Sequence, residues 1–162
     1  MSDLSSLAEI LAELSRATSK SYDASSFDSR LRIQKSIYLL SALGVPEVRS
    51  YSFSYYLRGP YSPSLAKDYY AIEKTPQARV KTTVPHEKIE IVKECVDRGS
   101  GFLEAVSTLH SIAEGNREHG SEEIISHARA LKPYLNFHLA EAWQFLLRHK
   151  LVRQRGRTIR KD

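Results

Sequence analysis

Residues 53–70, FSYYLRGPYSPSLAKDYY, constrain the fold of this chain more than any other stretch. The aromatic run 53–57 suits a pleated, half-buried strand, with Phe53 and Tyr55 on one face and Ser54 and Tyr56 on the other. Gly59-Pro60 then reads as a hard stop, because proline lacks an amide donor and glycine tolerates unusual dihedrals. Ser62-Pro63 follows. A serine oxygen accepts from the free amides of a first helical turn, and proline is at home at the first helical position. Ser62 is therefore the expected N-cap of a helix from Pro63 to about Glu73. Leu65, Tyr69 and Ile72 make its apolar face, with Tyr70 beside them. Arg58 and Tyr61 flank the turn and are expected to project outward. No step of this reading needs a catalyst.

The rest of the chain reads mainly as helix. Leu4, Leu7, Ile10, Leu11 and Leu14 form one stripe, with Ser2 or Asp3 available as a cap. The serine-rich stretch 19–27 reads as a loop. A second helix from Asp28 to about Leu43 carries Ile33, Ile37 and Leu40, and ends at Gly44 and Pro46 in the usual order. Residues 79–84 alternate and suggest a short strand pairing with 51–57, closed by Pro85. Further helices are expected over about 86–97, 101–114, 121–132 and 136–149, with breaks at Gly99 and Gly101, at 115–120 and at Pro133. The expected fold class is thus mainly α with a small β-hairpin or ribbon (α+β), in a compact multi-helix domain. At 162 residues one domain is the default. It is expected to span 1–150, with a basic wing or tail over 151–162.

The net charge of +5 is a property of the C-terminus. Residues 148–162 hold seven Lys and Arg against Asp162, and the first 147 residues carry a net −1. A generally basic nucleic-acid-binding surface is therefore not expected, whereas a local basic patch is. Trp143, Leu146 and Leu147 give the last helix a buried face. Beyond it, Leu151-Val152, the turn Arg155-Gly156-Arg157 and Thr158-Ile159 outline a small hairpin. Helix followed by basic hairpin is the end of a winged helix, and a solvated basic tail fits the same residues. In the winged-helix reading Arg153, Arg155, Arg157 and Arg160 sit on DNA phosphates. No apolar run approaches the roughly 20 residues of a membrane span. The N-terminus lacks the basic-then-apolar order of a secretory signal. With Cys95 as the one cysteine, an intramolecular disulfide and a cysteine-built metal site are excluded. A cytoplasmic location is expected.

Two segments, RLRIQKSIYLLSALG at 30–44 and YSFSYYLRGPYSPSLAKDYY at 51–70, together resemble the YwgA-like proteins and the related SocA-like, or Panacea, domain. Those proteins share a helix of the form "lqKllYl", a short extended segment, and a Gly-Pro turn leading into a helix. Residues 33–39 (IQKSIYL) occupy the first element and 55–62 (YYLRGPYS) the second. The Gly-Pro-Tyr-Ser sequence is closer to the YwgA-like branch. Panacea domains prefer leucine where Ser36 stands and valine where Tyr61 stands. The resemblance implies protein binding, as neutralising halves of toxin–antitoxin pairs or as adaptors that present a toxin to a protease, in mobile or defence contexts.

Candidate chemistry is sparse. Of six histidines, His127 lies four residues from Glu123 on an expected helix, which offers two metal ligands where zinc usually takes three or four. His86-Glu87 lacks the second histidine of the zinc-protease pattern, and neither a nucleophile elbow nor a phosphate loop is present. Cys95 on a helix pattern reads as a buried, inert thiol. Six tyrosines fall within 51–70. They suit base stacking or, with rings packed and hydroxyls wet, core and rim packing; only Arg58 and Lys67 are nearby cations. Lys35 reads either as a solvated lysine covering apolar surface or, with Arg32, as a cationic edge near the Gly-Pro turn. The functional expectation is a non-catalytic protein-interaction module of antitoxin or adaptor type. It has no cofactor or metal, and its partner is a toxin or other defence protein bound through Arg58, Tyr61, Lys35 and Lys67. The alternative is a winged-helix DNA-binding protein.

Overall fold

A computed structural model describes residues 4–56, 59–82 and 84–153, with Tyr56 described by its backbone alone. Among the described residues seven α-helices and one hairpin make a mainly helical domain: α1 (Leu4–Thr18), α2 (Phe27–Ala42), β1 (Ser54–Tyr56), β2 (Gly59–Tyr61), α3 (Pro63–Lys74), α4 (His86–Asp97), α5 (Ser100–Gly115), α6 (Ser121–Leu131) and α7 (Asn136–Arg148). Short 3-10 turns at Pro46–Val48 and Pro133–Leu135 begin on prolines, which fit a first helical position.

The architecture is organised around α5. Its residues 102–110 (FLEAVSTLH) are all buried, and it packs against α2, α4, α6, α7 and β2. A helix covered on every side must still satisfy its polar groups. Ser107 donates back to the Leu103 carbonyl, Glu104 pairs with Lys132, and His110 meets Tyr38. The stripe of α1 (Leu7, Ile10, Leu11, Leu14) and that of α2 (Ile33, Ile37, Leu40) enter the same core.

Helix ends follow local rules. Ser26 caps α2, its hydroxyl accepting from the Ser29 amide at 3.1 Å, so α2 begins at Phe27, one residue before the expected start. Ser62 caps α3 as expected, accepting from the Leu65 amide at 3.2 Å. Helix α2 closes with Gly44 at φ +86° and the bond pair Gly44 N–H to Ser41 O and Val45 N–H to Leu40 O. That is the Schellman arrangement, in which the residue just past the helix turns left-handed. Helix α7 closes the same way, Lys150 N–H to Leu147 O and Leu151 N–H to Leu146 O, but with Lys150 at φ +60° in the glycine position. The expected caps of α1 at Ser2 or Asp3 lie outside the described residues.

Two strand expectations are corrected. β1 pairs antiparallel with β2 in the register Ser54–Tyr61, Tyr55–Pro60, Tyr56–Gly59, and not with 79–84. The described residues of 79–84 form no strand and run beside α1, where Arg79 donates to Glu9 and Thr82 to Glu13. Gly59-Pro60 does not stop the strand region but forms its second strand. A two-stranded ribbon leaves each strand one free edge, where a residue without N–H is tolerated. Gly59, at φ +94°, supplies the backbone freedom.

Candidate partner-binding site

The hairpin is seated on α2 by two consecutive side chains. Gln34 grips the Ser62 backbone in both directions: its Nε2 donates to the Ser62 carbonyl at 3.0 Å and its Oε1 accepts from the Ser62 amide at 2.8 Å. Lys35 Nζ donates to the Pro60 carbonyl at 2.7 Å. Lys35 is 1% exposed, which overturns the solvated reading. An ammonium group is tolerated in such a place when strong acceptors replace its water. Arg32 lines one cavity with Lys35, but its guanidinium donates to the Ser21 carbonyl and lies over the Tyr22 ring, tying down the 19–26 loop. Gly59 closes this seat: a Cβ there would lie 2.8 Å from Thr108 Oγ1 and 3.5 Å from Lys35 Nζ.

The outer side of the hairpin meets the segment between α6 and α7. Lys132 Nζ lies 5.5 Å from the centre of the Tyr55 ring and 3.0 Å from Glu104 Oε2, with Glu104 and Lys132 both buried. The Tyr134 hydroxyl donates to the same Glu104 oxygen. Burial, with Glu104 nearby, pushes the Tyr55 hydroxyl pKa above its usual value. Both aromatics that meet this pair are open to solvent, Tyr55 at 41% and Tyr134 at 58% exposure, and at the adjoining ends of α6 and α7 Leu131 and Phe137 (90%) are exposed as well. A buried ion pair is weak evidence for stability, since desolvation offsets the attraction, but it fixes geometry. Here it fixes Tyr55 of the hairpin relative to Tyr134.

The expected binding residues are dispersed by this geometry. Tyr61 is partly buried against the core and lies near Tyr69, so it does not project outward. Lys67 is exposed on α3. Arg58 lies outside the described residues, as do Arg155, Arg157 and Arg160, on which the expected wing falls. Arg153 is described and exposed. Tyr55, Tyr134 and Phe137 were not singled out as binding residues. One signal was available for Phe137: it falls off the α7 stripe of Leu139, Ala142, Trp143 and Leu146.

Burial shifts the titratable groups of the core toward their neutral forms. Tyr38 Oη and His110 Nδ1 lie 2.7 Å apart, and Glu114 stands 3.8 Å from His110 Nε2. Burial raises the Tyr38 hydroxyl pKa, with the Glu114 charge adding to it. Burial lowers the His110 pKa, only partly offset by Glu114. Cys95 is fully buried, as expected, and burial pushes its thiol far up. Glu123 does not serve as half of a metal pair; its carboxylate accepts from the Gly120 amide at the start of α6. Among the described residues no group of three or more His, Cys, Asp or Glu could hold a metal ion, and no helix is long and apolar enough to cross a membrane.

Comparison of the chain with known protein families, curated proteins and solved structures finds no match.

Proposed function

We infer that the chain is a non-catalytic protein-interaction module of antitoxin or adaptor type, related to the YwgA-like and SocA-like proteins, that works by occluding or presenting a partner. The observation that carries this reading is that Tyr55 and Tyr134, both exposed, meet the buried ion pair Glu104–Lys132, with Leu131 and Phe137 exposed at the adjoining ends of α6 and α7. Scattered exposed apolar residues are ordinary, whereas aromatics grouped on a rigid support are what a protein partner anchors on. The hairpin seat favours the same reading. Gln34 and Lys35 spend their hydrogen bonds on the backbone at Pro60 and Ser62, which presents the ribbon in one fixed orientation. The docking face is thus moved from Arg58 and Tyr61 to the outer side of the hairpin and the α6–α7 junction.

The test is affinity capture from the native host, followed by calorimetry of the purified pair. Substituting Tyr55→Ala and Phe137→Ala together should weaken the complex at least about tenfold, since buried aromatic anchors commonly contribute 2 kcal/mol or more. The thermal midpoint should barely move. Unchanged affinity would remove this face from the reading. The absence of any stoichiometric partner protein would remove the module reading itself.

A further inference from the structure

We propose that the outer edge of β1 docks an extended segment of a partner protein, which joins the ribbon as a third strand through the backbone of Phe53 and Tyr55. The proposal rests on the reading above that the chain binds a protein, and adds how that protein is held. Proline decides where the backbone groups point. The ribbon pairs Ser54 with Tyr61, Tyr55 with Pro60 and Tyr56 with Gly59. In an antiparallel pair, residues that exchange hydrogen bonds alternate with residues that do not. Pro60 has no N–H to exchange, so Tyr55–Pro60 is a pair of the second kind. The N–H and C=O of Tyr55 therefore point away from β2, and the Pro60 carbonyl points away from β1, where it accepts from Lys35. Continuing the register sets Phe53 opposite Ser62, whose N–H and C=O both turn outward to Gln34. Phe53 thus presents its own N–H and C=O on the same side as Tyr55.

The two edges of the ribbon differ. The β2 edge is covered, since Gln34 and Lys35 take its outward groups and the strand packs on α2 and α5. Along the β1 edge the backbone of Phe53 and Tyr55 meets no hydrogen-bond partner among the described residues, and Ser54 and Tyr55 are exposed. Sheets usually blunt an open edge with a lysine, a proline or a bulge. Residues 53–56, FSYY, hold no charge and no proline, and no bulge interrupts the register. Unpaired donors and acceptors two residues apart are what an added strand takes. The register also specifies the occupant's side chains. Those set against Phe53 and Tyr55 lie on the face these rings share, where Phe53 meets the Tyr38 ring edge-on and Tyr55 lies over Lys132. The docking segment is therefore extended, with apolar residues at two alternate positions and proline at neither.

A display library of random peptides, selected on the immobilised full chain, supplies the probe. Two variants then read the edge. Tyr55→Ala keeps the N–H, and Tyr55→Pro deletes it. The ribbon makes no use of that N–H and already carries Pro60 across from it, so both variants should fold. Enriched peptides should carry apolar residues at alternate positions and bind Tyr55→Pro at least about tenfold more weakly than Tyr55→Ala. Hydrogen exchange on the native chain gives a readout that needs no variant. The Phe53 and Tyr55 amides should exchange fast in the free chain and slowly with peptide bound. No enriched peptide, equal binding by the two variants, or no slowing at Phe53 and Tyr55 overturns the proposal. Sedimentation of the free chain should show a monomer; a dimer broken by Tyr55→Pro would make a second copy the occupant and overturn it as well. Capture from the native host separates the edge from the reading it rests on. A host partner that binds Tyr55→Pro as tightly as Tyr55→Ala removes the edge and leaves the module, whereas peptides on the edge with no host partner leave the edge and remove the module.

Discussion

Replacing Gly59 with alanine tests the hairpin seat most directly. Two contributions follow from its geometry. At φ +94° an L-residue is strained, at a cost of about 1–2 kcal/mol. The new methyl would also lie 2.8 Å from Thr108 Oγ1 on α5, closer than a Cβ contact allows. Forcing an extra carbon into a packed site costs typically about 1–3 kcal/mol. Alanine returns about 0.4–1 kcal/mol by restricting the unfolded chain. The net expectation is a loss of about 1–4.5 kcal/mol, large against the roughly 5–15 kcal/mol that holds a typical domain together. Urea unfolding followed by Trp143 fluorescence and far-ultraviolet circular dichroism measures it. A second substitution separates the two contributions. Thr108 Oγ1 is buried and lacks a hydrogen-bond partner, so Thr108→Ala sheds an unsatisfied hydroxyl while losing a methyl group. It should be close to neutral alone. Combined with Gly59→Ala it should recover the overpacking share, a coupling of about 1–3 kcal/mol, and leave only the dihedral strain. A Gly59→Ala loss below about 0.5 kcal/mol would refute the seat as described. A full loss that persists in the double variant would refute the close approach to α5 while leaving the strained turn in place.

Two further outcomes are expected. Glu104→Leu should cost about 3–5 kcal/mol by stranding the buried Lys132 ammonium, whereas Glu104→Leu with Lys132→Met should regain most of that loss in chemical denaturation; equal losses in both would mean the ion pair is not the coupled unit described here. Burial holds the folded His110 pKa below its ordinary 6.5. As pH falls through that value the unfolded chain therefore takes up the proton first, and stability drops until the folded value is passed. His110→Gln should shrink the fall in urea midpoint between neutral pH and about pH 5.5, and an unchanged fall would remove His110 as its source.

Much of the helical frame was legible in the chain. Apolar spacing at three and four residues gave α1 and α2, glycine, proline and polar breaks marked off α4 to α7 close to their observed bounds, and Ser62-Pro63 gave the start of α3. Such signals are local, because a helix satisfies its backbone within itself and a cap needs only the next turn. Strand partners are not local. The alternation at 79–84 was real, but pairing is settled by which segment reaches β1, and the nearer one, 59–61, closed the ribbon. The fate of Lys35 was hidden for the same reason, since only the seating of Pro60 across α2 supplies an acceptor that makes its burial tolerable.

By itself the sequence determined a helical domain with one rigid aromatic turn and its charge gathered at the C-terminal end. Only the tertiary structure decided which tyrosines face water, that Tyr55 and Tyr134 meet over Glu104 and Lys132, and that Gln34 and Lys35 cover one edge of the ribbon. An aromatic ring or a lysine has the same local preferences whether exposed or buried. Its surroundings come from residues distant in the chain, and they fix its burial and its hydrogen bonds.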